Sequence, residues 1–157
     1  MKKLFSLIVI LVTLSSCQEE VKFNNDPGFQ AFRDNVLFRG IDVRAYKSTS
    51  GALRIVALAE GEEVVLRTTS TNVGLYPLGT SVSKVATYTN SFDGNDVFYT
   101  TGIDIGNGLI EITESANNTV TGKFKFNAEN TLDNPFGNEL VNFQYGAFYQ
   151  LPLIPEP

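Results

Sequence analysis

The chain has 157 residues, 12 Lys and Arg against 17 Asp and Glu, one cysteine, and neither histidine nor tryptophan. With no imidazole, Ser-His-Asp and Cys-His nucleophiles and His-ligated zinc or non-haem iron centres are excluded. A formal net charge of −5 argues against a cationic surface for phosphate backbones, so nucleic acid is not an expected partner.

The first element is a leader. Lys2 and Lys3 precede an almost unbroken apolar run from Leu4 to Leu14, closed by Ser15, Ser16 and Cys17. A spanning helix needs about 20 apolar residues; this run of about 11 has the layout of a secretory signal. Leu14-Ser15-Ser16-Cys17 resembles the lipobox of bacterial lipoproteins, in which small residues admit the peptidase and the thiol takes the diacylglycerol. Residues 1–16 are therefore expected to be a signal peptide, and Cys17 the lipidated N-terminus. Each buried CH₂ contributes roughly 0.8 kcal/mol and one acyl chain binds only marginally, so the two or three chains of a mature lipoprotein give a stable anchor. With Cys17 modified, the exported domain has no thiol for a disulfide. Without residues 1–16 the chain keeps 141 residues, and losing Lys2 and Lys3 takes its net charge to −7. That acidity speaks for solubility and against lying flat on anionic lipid.

Residues 17–27 read as the lipidated cysteine and a flexible tether. Gln18 stands where an aspartate would favour inner-membrane retention, and Gln18-Glu19-Glu20 resembles the acidic export signal of surface lipoproteins in Bacteroidota. The expected location is the cell envelope, lipid-anchored at the outer membrane.

Residues 28–157 read as one domain of successive strands. Phe29–Arg33 and Val36–Arg39 flank a two-residue turn at Asp34-Asn35, a hairpin signal. Ile41–Tyr46 follows, and Leu53–Ala59 and Val64–Thr69 flank a turn within residues 60–63. Val85–Thr89 and Val97–Thr101 are separated by a Gly/Asn/Asp turn, and Leu109–Thr113 and Val120–Asn127 by Asn117-Asn118. Val120, Gly122, Phe124 and Phe126 alternate with Thr121, Lys123, Lys125 and Asn127, the period of a strand with one buried face. Val141–Leu151 is predicted extended, with Phe143, Tyr145, Ala147 and Tyr149 on one face and Gly146 at a bulge or close contact. The prolines of residues 151–157 are predicted to stop a central strand. The expected fold class is all-β, a single antiparallel β-sandwich or barrel-like domain.

The order Phe29-x-Ala31, Gly74-Leu75-Tyr76-Pro77-Leu78-Gly79, Ala86-Thr87-Tyr88, Thr119 to Phe126, and Gly146-Ala147-Phe148 resembles an uncharacterised family of Bacteroidota lipoproteins, over most of residues 28–151. The resemblance implies an all-β lipoprotein domain of unknown function and supplies no catalytic residues.

Carboxylate chemistry is the main catalytic option left by composition. A glycosidase needs two carboxyls roughly 5–10 Å apart; Asp93, Asp96, Asp104, Glu111 and Glu114 are available, but no spacing singles out a pair. Asp93, Asn95 and Asp96 offer hard oxygens for calcium, as do Asp133, Asn134, Asn138 and Glu139, although polar turns explain both groups. The stretch Gly102 to Gly108 reads as a turn rather than a phosphate loop, since no helix follows. Tyr46, Tyr76, Tyr88, Tyr99, Tyr145 and Tyr149 supply a glycan platform if they share a face; otherwise they are core. Arg33, Arg39, Arg44, Arg54 and Arg67 all fall in the first half, and Arg is common at interfaces.

The reading is a non-catalytic binding or interaction module without cofactor or resident metal, joined to the membrane through lipid on Cys17, with an envelope protein or glycan as partner. Three alternatives are a glycan-binding accessory protein, a barrel carrier of a small apolar ligand with a Phe-lined cavity, and a carboxylate-based hydrolase.

Overall fold

The computed structural model describes residues 28–91, 96–132 and 134–157. Its regular elements are eleven strands: β1 (Gly28–Arg33), β2 (Val36–Arg39), β3 (Asp42–Lys47), β4 (Leu53–Ala59), β5 (Glu62–Thr68), β6 (Gly74–Leu78), β7 (Val85–Asn90), β8 (Val97–Thr100), β9 (Asn107–Ala116), β10 (Thr119–Asn130) and β11 (Leu140–Pro155). The all-β class is as the sequence predicts.

Turn chemistry sets the local pairings. Asp34 and Asn35 both take positive φ (47° and 68°), as do Asn117 and Asn118 (51° and 58°). Two successive left-handed residues give a primed turn, whose twist matches that of the flanking strands. Arg33 therefore pairs with Val36, and Ala116 with Thr119. Between β4 and β5 the turn is only Glu60 and Gly61, Ala59 pairing with Glu62.

The strands form a single 11-stranded sheet that closes on itself through the added β11–β10 pairing and can be followed as two walls. One runs β2-β1-β11-β10-β9-β6 and the other β3-β4-β5-β7-β8. Past its last pair with β1 (Gly28 with Tyr149), β11 continues to β3, pairing Leu153 with Ala45. Past its last pair with β9, β10 reaches β8 through Glu129 and Asn130. The hydrogen-bonded ring β11-β3-β4-β5-β7-β8-β10 closes as a flattened barrel, so sandwich and barrel are both partly right descriptions. The β11–β3 ladder is parallel, so the sheet is not purely antiparallel as expected.

Three further differences have local causes. Strand β6 is not among the strands the sequence pattern predicts; it holds Pro77, which lacks a donor, at an edge of the sheet, where it pairs with β9 and a proline is tolerated. The strand β11 runs on to Pro155 despite Pro152. Pro152 falls between the last β1 pair and the first β3 pair, and the Leu153 N–H donates to the Asn118 carbonyl at 2.8 Å. Within β11, two residues oppose one on β10 twice: Phe143 pairs with Phe126 but Gly146 with Phe124, and Phe148 with Gly122 but Leu151 with Val120. These bulges, at Tyr145 (φ 51°) and Gln150 (φ 46°), shift the phase. Phe143, Phe148 and Leu151 are buried while Tyr145 faces out, so Tyr145 does not share a face with Phe143 as predicted.

The core lies between the walls and is rich in phenylalanine. Phe29 stacks on Phe124 (4.8 Å between ring centroids) and Phe126 on Phe143 (4.6 Å), with Phe38 edge-on to both Phe29 and Phe143. Each fully buried side chain of this kind contributes about 1.5–3 kcal/mol, comparable with the roughly 2–4 kcal/mol of a disulfide that this domain lacks.

Candidate functional site

The outer face of β3-β4-β5 carries a shallow open groove of about 280 Å³. Period-two alternation puts every second residue of these strands there, and the registers align them in three cross-strand rows. The first row is Asp42, Leu58 and Glu63, the second Arg44, Val56 and Val65, and the third Tyr46, Arg54 and Arg67. One end of the groove is acidic, the floor aliphatic and the other end guanidinium-rich.

Two arginines are held by acids. Arg44 donates to both oxygens of Asp42, Nε to Oδ1 at 3.1 Å and Nη2 to Oδ2 at 2.7 Å. These bonds, with a lesser contribution from Tyr46, raise its pKa further above the ordinary arginine value. Arg54 donates from Nε to Glu156 Oε1 at 2.7 Å and stacks 4.2 Å from the Tyr46 ring centroid, a cation–π geometry. Arg67 is exposed and forms no ion pair among the described residues. It stands directly across from Arg54, and like charges so placed repel.

The arginines of the first half are therefore partly gathered: Arg44, Arg54 and Arg67 converge, while Arg39 lies on the edge strand β2. Arg33 points into one end of the barrel, where it pairs with Glu62 and donates to Tyr88 Oη at 2.6 Å, Tyr88 in turn donating to Glu62. Burial, opposed by Arg33, pushes the Tyr88 phenol up, and burial does the same at Tyr99. Tyr76, Tyr88 and Tyr99 are core. Tyr46 lies in the groove, and Tyr145 and Tyr149 lie on the other wall, so the tyrosines do not form one platform.

Among the candidate carboxylates, Asp93 lies outside the described residues, and so do Asn95 and Asp133 of the calcium candidates. Asp96 is exposed, and its carbonyl accepts from Asn134 Nδ2 at 2.6 Å. Asp104 takes a positive φ of 57° in the turn bridged by Gly102 and Ile105, while Asn107 and Gly108 already belong to β9, so the stretch Gly102 to Gly108 is a turn leading into a strand. Glu111 sits on β9 across from Lys123, and Glu114 is exposed near the β9–β10 hairpin. Among the described residues no three acidic or thiol groups converge in a way that would hold a metal. The interior, where an apolar ligand would sit, is occupied by the stacked phenyl rings.

The groove was missed in the sequence because its residues, Asp42-x-Arg44-x-Tyr46, Arg54-x-Val56-x-Leu58 and Glu63-x-Val65-x-Arg67, come from three strands. The signal that finds it is the two-residue turn at Glu60-Gly61, which fixes Arg54 opposite Arg67.

Residues 25–152 match the family described as a domain of unknown function (DUF6252), and residues 1–18, which include Cys17, match a prokaryotic membrane lipoprotein lipid attachment site. No curated protein and no solved structure matches the chain.

Proposed function

The chain belongs to the DUF6252 family and carries a lipoprotein lipid attachment site, and on that premise we propose that it is a non-catalytic binding module, held by lipid on Cys17 at the outer membrane of a Bacteroidota cell. Its contact surface is the β3-β4-β5 face, and its partner is an envelope protein presenting carboxylates. The outer-membrane assignment rests on Gln18 in place of a retention aspartate and on the acidic Glu19-Glu20 that follows.

The observation that carries the reading is Arg67 opposite Arg54. Such a like-charge cross-strand pair is destabilising, and Arg67 gains no acid among the described residues in return. A partner carboxylate seated between the two guanidinium groups offsets the repulsion and gains forked hydrogen bonds. The aliphatic floor of Val56 and Val65 adds the desolvated centre that interface arginines work from.

A photoreactive amino acid placed at Val65 in the lipidated protein tests this in cells. It is expected to give a discrete adduct with an envelope protein, lost in Arg67→Glu and partly retained in Arg67→Lys. Absence of an adduct, or one indifferent to Arg67→Glu, refutes the surface. Cys17→Ala is expected to abolish labelling by a radioactive fatty acid, and unchanged labelling refutes the anchor.

A further inference from the structure

We propose that the outer face of the other wall, around Tyr145, rests on the anionic headgroups of the membrane that holds the anchor. The inference rests on the anchored reading but not on the groove.

The bulge at Tyr145 is the first observation. Unbroken alternation from Phe143 directs this side chain into the core. The extra residue turns it outward, leaving the ring 64% exposed, at a positive φ (51°) that bulky residues rarely adopt. There it meets Phe32 edge-on, 6.4 Å between centroids, beside Leu37, which pairs with Phe32 and is 50% exposed. An aromatic ring with a polar tip, flanked by apolar side chains, suits the headgroup layer.

Charge is the second. Lys123 and Lys125 are exposed on the neighbouring strand β10, and Arg39 is exposed on β2. The acids nearest in register are Glu111, across from Lys123, and Glu114 near the hairpin end. Glu129 lies further along the same outward stripe of β10, so the cationic excess is confined to the rows beside Tyr145, where Arg39, Lys123 and Lys125 meet Glu111; there the net charge that argued against anionic lipid does not describe the surface.

Covalent geometry is the third. Gly28, where the described chain begins, opens β1 in this same wall. Residues 18–27 join it to Cys17 across at most about 33 Å. A tether this short holds the domain near the bilayer at an effective concentration on the order of a millimolar, so a weak affinity of one face is enough to orient it.

Lysine acylation read by mass spectrometry tests the orientation, because Lys47 and Lys84 lie in or beside the opposite wall and serve as internal references. The lipidated full chain is floated on phosphatidylcholine vesicles with and without phosphatidylglycerol, and each lysine is normalised to its reactivity in detergent micelles. Lys123 and Lys125 are expected to lose several-fold reactivity on the anionic vesicles alone, to recover it in high salt, and to recover it partly in Tyr145→Asn, which accepts the positive φ. Equal reactivity of all four lysines, or protection that is the same on neutral vesicles, overturns the proposal. Failure to float at all shows instead that the anchor is wrong.

Discussion

Gly146→Ala isolates one steric contact. Gly146 opposes Phe124 across β10–β11, and a Cβ there would come within 2.6 Å of three atoms of the Phe124 ring. Ordinary van der Waals contact begins near 3.4 Å, so the overlap is close to 1 Å. The ring has little freedom to retreat: Phe124 is 3% exposed and packed between Phe29 and Phe126. No positive φ is involved at Gly146, so backbone strain does not contribute, and alanine gains about 0.4–1 kcal/mol from the unfolded state. Overpacking costs about 1–3 kcal/mol and occasionally more, and a full ångström against an immobile ring belongs at the upper end. The net expectation is a loss of about 2 kcal/mol, or a melting temperature lower by about 7 °C in a domain near 130 residues. Thermal melts of the soluble domain measure it. Phe124→Leu in the same chain should be less costly on top of Gly146→Ala than alone, since it vacates the crowded space. A melting point within 2 °C of the parent, or strict additivity of the two changes, refutes the steric account.

Other consequences are equally direct. Burial raises the phenol pKa of Tyr88 and Tyr99 above 10.0, so the folded state holds these protons more tightly than the unfolded chain; the stability they contribute is intact below pH 10 and falls as the pH climbs past it. Tyr88→Phe should therefore lose about 1 kcal/mol at pH 7, with its bond to Glu62 gone, yet show a shallower fall in urea midpoint above pH 10; an unchanged slope counts against burial as the cause. Asn117→Ala should cost about 1 kcal/mol because Asn117 is left-handed, whereas Asn117→Gly should not, and equal urea midpoints for the two would exclude turn strain. Arg67→Thr should stabilise the domain slightly, by less than about 1 kcal/mol as for other exposed charge pairs, from relief of the repulsion with Arg54; the gain should shrink in high salt, and a destabilised variant would show that Arg67 has a structural partner.

What the sequence discloses follows the range of the interaction that fixes each feature. Hairpins depend on two or three adjacent residues, and Asp34-Asn35 and Asn117-Asn118 announce theirs. The buried stripe of β10 depends on one strand, and its alternation reads directly. The phase of β11 depends on bulges seated against Phe124 and Gly122 of a different strand, so alternation counted along β11 alone places Tyr145 on the wrong face. The parallel ladder with β3 joins Leu153 to Ala45, over a separation that no local pattern encodes. The groove is intermediate. Its nine lining residues are visible as period-two sets, but their convergence needs the β3–β4–β5 registers. The lipid attachment site was legible because it is a contiguous motif, matched within residues 1–18.

The two outer faces bear on each other through the fold. Opposite walls of a closed sheet turn their outer surfaces in opposite directions, and β4 and β5 lie across the ring from β10 and β11, so a domain resting on the membrane through Tyr145, Lys123 and Lys125 presents the Arg54–Arg67 end of the groove away from it. Orientation then governs access. Charge reversal at Lys123 and Lys125, on the far side of the barrel, should reduce partner capture at Val65 in the anchored protein, because a domain released from the membrane no longer keeps the groove turned away from it. The same substitutions in the domain cut free of its lipid should leave capture unchanged, since nothing then orients it. Loss of capture in both forms would mean that the lysines touch the partner themselves, and loss in neither would mean that the anchored domain has no preferred orientation.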